Sequence, residues 1–148
     1  MKFKKVVVGG SFDHLHKGHK ALLEKAFELG EKVIIGLTSD EMVNKPLQPY
    51  GHRKKRLEEY LSNFNYELIK LNDPYGIAVE DPEVDAIVVS EETLERAKEI
   101  NQMRNEKGLK RLEVIVVPIV LAEDGKPISS TRIRKGEINA DGEIIREN

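Results

Sequence analysis

The stretch Val6–His19, VVVGGSFDHLHKGH, constrains this chain more than any other. Val6, Val7 and Val8 are β-branched and apolar on both faces of a strand, so they are expected inside a parallel sheet. Gly9 and Gly10 carry no Cβ and are expected to let the backbone turn sharply and approach a ligand closely. A helical pattern opens near Lys17, and its unpaired N–H groups and positive dipole end would face the same place. Strand, glycine turn and helix start, in that order, form a phosphate site. His16 and His19 are three apart and would share a face of the first turn, where two imidazoles can donate to one phosphate oxygen. The same pair also fits a metal half-site or a solvated helix start. The metal reading is weak, because the chain has no cysteine and His14 stands beside a leucine rather than in a ligand array.

The remaining chemistry is bounded by size and charge. A chain of 148 residues is the length of one domain. A net charge of −2 gives no bulk attraction to nucleic acid. Zero cysteines remove disulfides and thiol catalysis, and fit a cytoplasmic setting. No apolar run approaches the roughly 20 residues of a membrane span, and no signal peptide is visible, so no membrane partner is expected.

Periodicity organises the rest of the chain. Ala21, Leu22, Lys25, Ala26 and Leu29 give a core-facing stripe, predicting a helix over Lys17–Leu29 with Gly30 as its C′ glycine. A buried strand is expected at Lys32–Leu37, then a short helix from Asp40 to about Asn44. Lys45 precedes Pro46 and is held extended, as a solvated loop lysine unless a ligand uses it. A basic helix is expected at His52–Ser62. Its charge run, balanced by Glu58 and Glu59, reads as a solvated face, with Arg53 a candidate contact for an anionic substrate. Strands are expected at Tyr66–Leu71, Ala86–Val89 and Glu113–Val117, the last as a buried run. The loop Asn72–Asp81 carries Tyr75, a candidate for the acceptor pocket. Ser90 is placed as the N-cap of a helix reaching about Lys107, on which Asn101 and Arg104 share a face. Ser129, Ser130 and Thr131 bring hydroxyls and backbone N–H groups to a helix start, with Arg132 and Arg134 adding positive charge. A charged tail from about residue 137 is expected to be loosely held.

GGSFDHLHKGH, with its Gly9, Gly10, Ser11, Phe12, His16, Gly18 and His19, resembles the first signature of the HxGH nucleotidyltransferase superfamily. More narrowly it is similar to the phosphopantetheine adenylyltransferases of archaea and the matching domain of eukaryotic coenzyme A synthase. Ile128–Arg134, ISSTRIR, resembles that family's ISSTxIR element, and Val89–Thr93 its VSEET segment. Together the three cover nearly the whole chain in the right order.

The resemblance implies an α/β fold. It would be a single Rossmann-like nucleotidyltransferase (HUP-like) domain over residues 1–148, with a five-stranded, mainly parallel sheet and helices on both faces. It implies transfer of the adenylyl group of ATP to 4′-phosphopantetheine, giving dephospho-coenzyme A and pyrophosphate. With no nucleophilic triad or thiol visible, transfer is expected to be direct and in line. His19 would contact the α-phosphate and His16 a nearby phosphate. Lys45 would bridge the acceptor phosphate to the α-phosphate, and Ser11 would orient the nucleophile. Ser129, Ser130, Thr131 and Arg104 would hold the leaving pyrophosphate. Gly9, Gly10, Phe12, Gly18, Ser90 and Ile128 complete the expected ATP site. Mg²⁺ would travel with ATP on phosphate oxygens and water, without a protein ligand set. The oligomeric state stays open, monomer or small homo-oligomer. Bacterial members usually carry Thr in place of His16 and differ in the middle segments, so their acceptor arginines and hexameric assembly do not transfer. Three alternatives remain. A cytidylyltransferase would show RTEGIST where this chain has KPISSTRIR. A nicotinamide-mononucleotide adenylyltransferase would open GRFQPxHxGH. A nucleotide-sensing module would bind ATP without turnover.

Overall fold

In a computed structural model, which describes residues 2–146, five strands form one sheet. They are β1 (Phe3–Gly10), β2 (Gly30–Thr38), β3 (Tyr66–Leu71), β4 (Ala86–Ser90) and β5 (Glu113–Val117). The order is β3-β2-β1-β4-β5 and every pairing is parallel. β1 therefore lies between β2 and β4, and the winding reverses beside it. In parallel sheets that reversal opens a crevice at the carboxyl ends of the strands, where ligands bind.

Alternation along the strands explains the two layers. Val6, Val8, Val33 and Ile35 point to one face and pack with Leu23 and Ala26 of α1 (Lys17–Leu29) and Leu57 of α2 (Tyr50–Tyr60). Val7, Ile34, Ile87 and Val89 point to the other. They pack with Ala78 and Val79 of α3 (Ile77–Glu80) and with Ala97 and Ile100 of α4 (Leu94–Glu106). A strand apolar on both faces requires a cover on each, and the triple valine receives both. A fifth helix, α5 (Ser130–Arg134), comes after β5.

Several expectations are corrected. Gly30 is not a left-handed cap: its φ is −104° and it opens β2 directly. Glycine is needed there because a Cβ would stand 2.8 Å from Val6 Cγ2 and 3.1 Å from the Ala26 carbonyl oxygen. Asp40–Asn44 forms turns and bends rather than a helix, because the Asp40 carboxylate is engaged by Arg53 instead of capping a helix. The Asn72–Asp81 loop contains α3. β5 is an edge strand, so Val116 is exposed where a buried run was expected. The tail is not loose. Ile138 is fully buried against Ala122 and Ile128, and Asn139 N–H donates to the Glu143 carbonyl. Backbone hydrogen bonds from Lys17 N–H to the Ala140 carbonyl and from Glu123 N–H to the Gly142 carbonyl tie it to the domain as well. Among the described residues no helix is long and apolar enough to cross a membrane.

Candidate active site

A cavity of about 820 Å³ opens at the carboxyl ends of the strands. Gly9, Gly10, Thr38 and Ser90 line it from the strand ends, and Lys45, Tyr75, Ile128, Ser129, Ser130 and Thr131 from the loops and α5. Gly9 and Gly10 are still paired in β1, with Gly36 and Leu37, so they leave the floor bare rather than making the turn. The turn is made by Phe12 and His14, with φ of 48° and 49°. For a buried phenylalanine this left-handed conformation stores strain, a feature that clusters at functional sites.

The start of α1 is arranged differently from the expectation. Lys17 N–H donates to the Ala140 carbonyl (2.9 Å). The Gly18 and His19 N–H groups donate to His16 Nδ1 (3.1 and 3.4 Å). Lys20 N–H donates to the His16 carbonyl. The helix therefore has no backbone N–H to offer an anion. His16 stands outside the helix as its N-cap, and His16 N–H donates in turn to His19 Nδ1 at 3.1 Å. This is a capping box built from two histidines. The rings stack with centroids 3.6 Å apart. Each Nδ1 is an acceptor, so each neutral ring carries its proton on Nε2. Each Nε2–H lacks a hydrogen-bond partner among the described residues, and both rings line the cavity. Burial lowers the pKa of His16 to about 4, reinforced by His14 and opposed by Asp13. Burial also lowers His19 to about 3, reinforced by His16 and His14. Both are neutral donors at pH 7. Gly18 makes this possible, since a Cβ there would meet His16 Cε1 at 2.9 Å.

Ser11 faces the same cavity. Its Oγ accepts from Thr38 Oγ1 at 3.1 Å, which leaves its own proton to donate outward. Arg53 sits behind this pair and does not line the cavity. Fully buried, it donates to the Ser11 carbonyl (2.9 Å), to Thr38 Oγ1 (3.4 Å), to the Gln48 carbonyl and to Asp40. The expected substrate contact of Arg53 is thus corrected: it supports the loop that presents Ser11. Lys45 forms no ion pair among the described residues and lines the cavity from an exposed loop.

Arg104 is corrected as well. It is fully buried and donates to the carbonyls of Lys110, Ala78 and Asp81, at 2.8, 2.9 and 2.8 Å. α4 starts at the ligand edge and runs away from it, so its last turn lies about 12 Å beyond Arg96 at 1.5 Å per residue. Arg96, near the start of the same helix, lines the cavity and was not singled out from sequence. Counting from the strand end would have found it. Asn101 exchanges two hydrogen bonds with the Leu112 backbone, a structural role. Ser90 N–H donates to Thr93 Oγ1, starting the 3₁₀ turn Glu91–Thr93 that leads into α4. Tyr75 OH donates to Glu99 at 2.8 Å at the rim. Ser129 caps α5 by accepting from Arg132 N–H, and Arg132 is spent on Asp124 and Glu137 rather than on the cavity.

A parallel α/β sheet with a histidine-capped helix at its switch point defines an HxGH-type nucleotide-binding domain. The family model described as cytidylyltransferase-like matches residues 7–136. Two curated relatives extend over nearly the whole chain. The phosphopantetheine adenylyltransferase of Methanothermobacter thermautotrophicus is 49% identical over 150 residues, 98% of this chain and 92% of its own length. That of Pyrococcus abyssi is 53% identical, covering 99% and 98%. The chain belongs to the phosphopantetheine adenylyltransferase family. Among solved structures, a protein of unknown function from Archaeoglobus fulgidus is 36% identical with a TM-score of 0.71, covering 76% of this chain and 88% of that one. A tyrosyl-tRNA synthetase from the same organism, 13% identical with a TM-score of 0.61, covers 89% of this chain and 60% of that one and shares the fold alone.

Proposed function

We propose that this chain transfers the adenylyl group of ATP to 4′-phosphopantetheine, forming dephospho-coenzyme A and pyrophosphate. The observation that carries the reading is the histidine pair. Two neutral imidazoles, locked by the backbone with Nε2–H outward, line one cavity with Lys45, Ser11 and the start of α5. An oxygen of the acceptor phosphate attacks the α-phosphorus, and the bond to the β-phosphate bridging oxygen breaks on the opposite side. Pyrophosphate leaves, and no covalent enzyme intermediate forms. Such transfer needs alignment and charge stabilisation rather than protein covalency.

In this reading His19 donates from Nε2 to the α-phosphate and His16 to a neighbouring phosphate oxygen. Lys45 spans the acceptor phosphate and the α-phosphate, and Ser11 orients the attacking oxygen. Ser129, Ser130, Thr131 and Arg96 hold the leaving pyrophosphate. Gly9, Gly10, Phe12, Gly18, Ser90 and Ile128 shape the nucleotide's bed, and Tyr75 borders the acceptor side. Among the described residues no three His, Cys, Asp or Glu side chains cluster to hold a metal ion. Mg²⁺ would arrive on ATP, held by phosphate oxygens and water. When bound it would offset charge on the departing pyrophosphate. A cytoplasmic location accompanies this reading, since both substrates are charged phosphate esters.

The test is pyrophosphate release with Mg²⁺-ATP and phosphopantetheine, nicotinamide mononucleotide or glycerol 3-phosphate in parallel, the last also with CTP. Release with phosphopantetheine alone is expected. His19→Ala should lower kcat by far more than it weakens ATP binding, because the contact strengthens in the transition state. Release with another acceptor would move the acceptor assignment. An equal loss of turnover and ATP affinity would remove His19 from its assigned role.

A further inference from the structure

Arg134, the last residue of α5, ties together three segments remote in sequence. Its Nη1 donates to the Pro46 carbonyl at 3.1 Å and stands 3.5 Å from Asp13 Oδ2. Its Nη2 donates to Thr131 Oγ1 at 3.4 Å. Pro46 immediately follows Lys45. Asp13 lies in the histidine loop, is 1% exposed and lines the cavity. The Asp13 Oδ1 atom accepts from Gln48 N–H at 2.9 Å, while Oδ2 has no hydrogen bond. Apart from the His14 imidazole at 3.9 Å, Arg134 is the only cationic side chain paired with this buried carboxylate among the described residues. The Gln48 carbonyl is held by Arg53 Nε at 2.7 Å. The segment 45–48 thus has fixed anchors at Gln48 and a single one at Pro46.

We propose that Arg134 is a positioning residue for Lys45 and that, through it, the nucleotide and the acceptor bind cooperatively. The inference rests on the assignment of Thr131 and its neighbours to ATP and of Lys45 to the acceptor. A phosphate engaged by Ser129–Thr131 holds α5, and with it the guanidinium that fixes Pro46. The loop carrying Lys45 is then ordered before the acceptor arrives, so the second ligand loses less conformational freedom. The dependence is reciprocal: the acceptor, by holding Lys45, tightens the nucleotide by the same factor.

The test uses titration calorimetry with 4′-phosphopantetheine and α,β-methylene-ATP, which cannot be cleaved at the reacting position. In the parent each ligand should tighten the other by about 5-fold or more. Arg134→Gln is made in an Asp13→Asn background so that no unpaired carboxylate remains in the cavity. Asp13→Asn alone should keep the coupling, because the Pro46 bond survives. The double variant should lower it below about 2-fold with each ligand's separate affinity within about 3-fold, a split that general loss of structure would not produce. Arg134→Lys, which restores the charge and one donor, should recover part of the coupling. Undiminished coupling in the double variant, or none in the parent, overturns the proposal.

A second readout needs no acceptor. The chain has no tryptophan, so Leu47→Trp places a single reporter beside Pro46. Its fluorescence should respond to α,β-methylene-ATP, and the response should vanish on adding Arg134→Gln. A missing response in the reporter parent, or one that persists in the variant, refutes the link. If phosphopantetheine does not bind but this response behaves as expected, the acceptor assignment has failed and the Arg134 link has not.

Discussion

Replacing Gly18 by alanine should nearly abolish turnover while leaving the fold almost as stable as before. An added Cβ would lie 2.9 Å from His16 Cε1 and 3.1 Å from His16 Nδ1. The ring cannot swing aside cheaply, because Nδ1 is held by two backbone N–H groups and the face stacks on His19 at 3.6 Å. Moving it far enough to relieve the contact breaks the capping box, which is worth about 1 kcal/mol. Alanine in place of glycine returns up to about 1 kcal/mol through backbone entropy and helix propensity. The two effects nearly cancel, so in a chain of 148 residues Tm should change by no more than about 4 °C. The effect on chemistry is not offset. A donor misplaced by about 1 Å can cost about 100-fold in rate, and the stack and the reciprocal bond carry the displacement from His16 to His19. Pyrophosphate release and thermal unfolding, run on the same preparation, read the two effects separately. Nitrogen NMR of the imidazoles would report whether the Nδ1-acceptor tautomers persist. If kcat stays within about threefold of the parent, backbone locking of the two rings is not what prepares them for catalysis.

The histidine pair also sets a pH dependence. Unfolded, both rings protonate near 6.5, whereas folded they stay neutral to about 4 and about 3. The unfolded chain therefore binds more protons, and stability falls as pH drops below 6.5, by on the order of 2 kcal/mol per histidine at pH 5. Urea unfolding at pH 7 and pH 5, compared with a His16→Asn/His19→Asn variant, should show a clearly shallower loss in the variant; parallel losses would mean the rings are not buried neutral. Arg104→Met should destabilise the protein by about 3 kcal/mol, because three backbone carbonyls lose their donor. Its KM for ATP and kcat per folded molecule should stay within about twofold, and a selective rise in KM for ATP would return Arg104 to the nucleotide.

Much of the fold was legible locally. The stripe in Lys17–Leu29 defines α1 to the residue, and the apolar runs at Tyr66–Leu71 and Glu113–Val117 coincide with β3 and β5. These patterns are readable because a helical or extended backbone sorts side chains by face within a few residues. Spacing also brought His16 and His19 together, and the resemblance placed Ser11, Lys45 and Ser129–Thr131 around one cavity, which the fold contains.

What the sequence by itself determined was therefore the order of the five strands and of the longer helices, most of their buried faces and the edge at which loops gather; the turns at Asp40–Asn44, the short α3 and the exposed Val116 were not among them. The destinations of the arginines were decided by tertiary structure alone. Arg53, Arg104 and Arg134 are alike as letters, yet the first braces the Ser11 loop, the second ties α4 to neighbouring backbone, and the third reaches Pro46 across 88 residues. A long side chain with five donors takes whatever acceptors the fold brings near it, and those that set the three apart, the carbonyls of Ser11, Ala78 and Pro46, lie too far along the chain for any local pattern to reveal. The state of the histidines has the same origin. That each Nδ1 faces the backbone, and that both rings are neutral, comes from a helix start whose N–H groups had to be satisfied and from the burial around it.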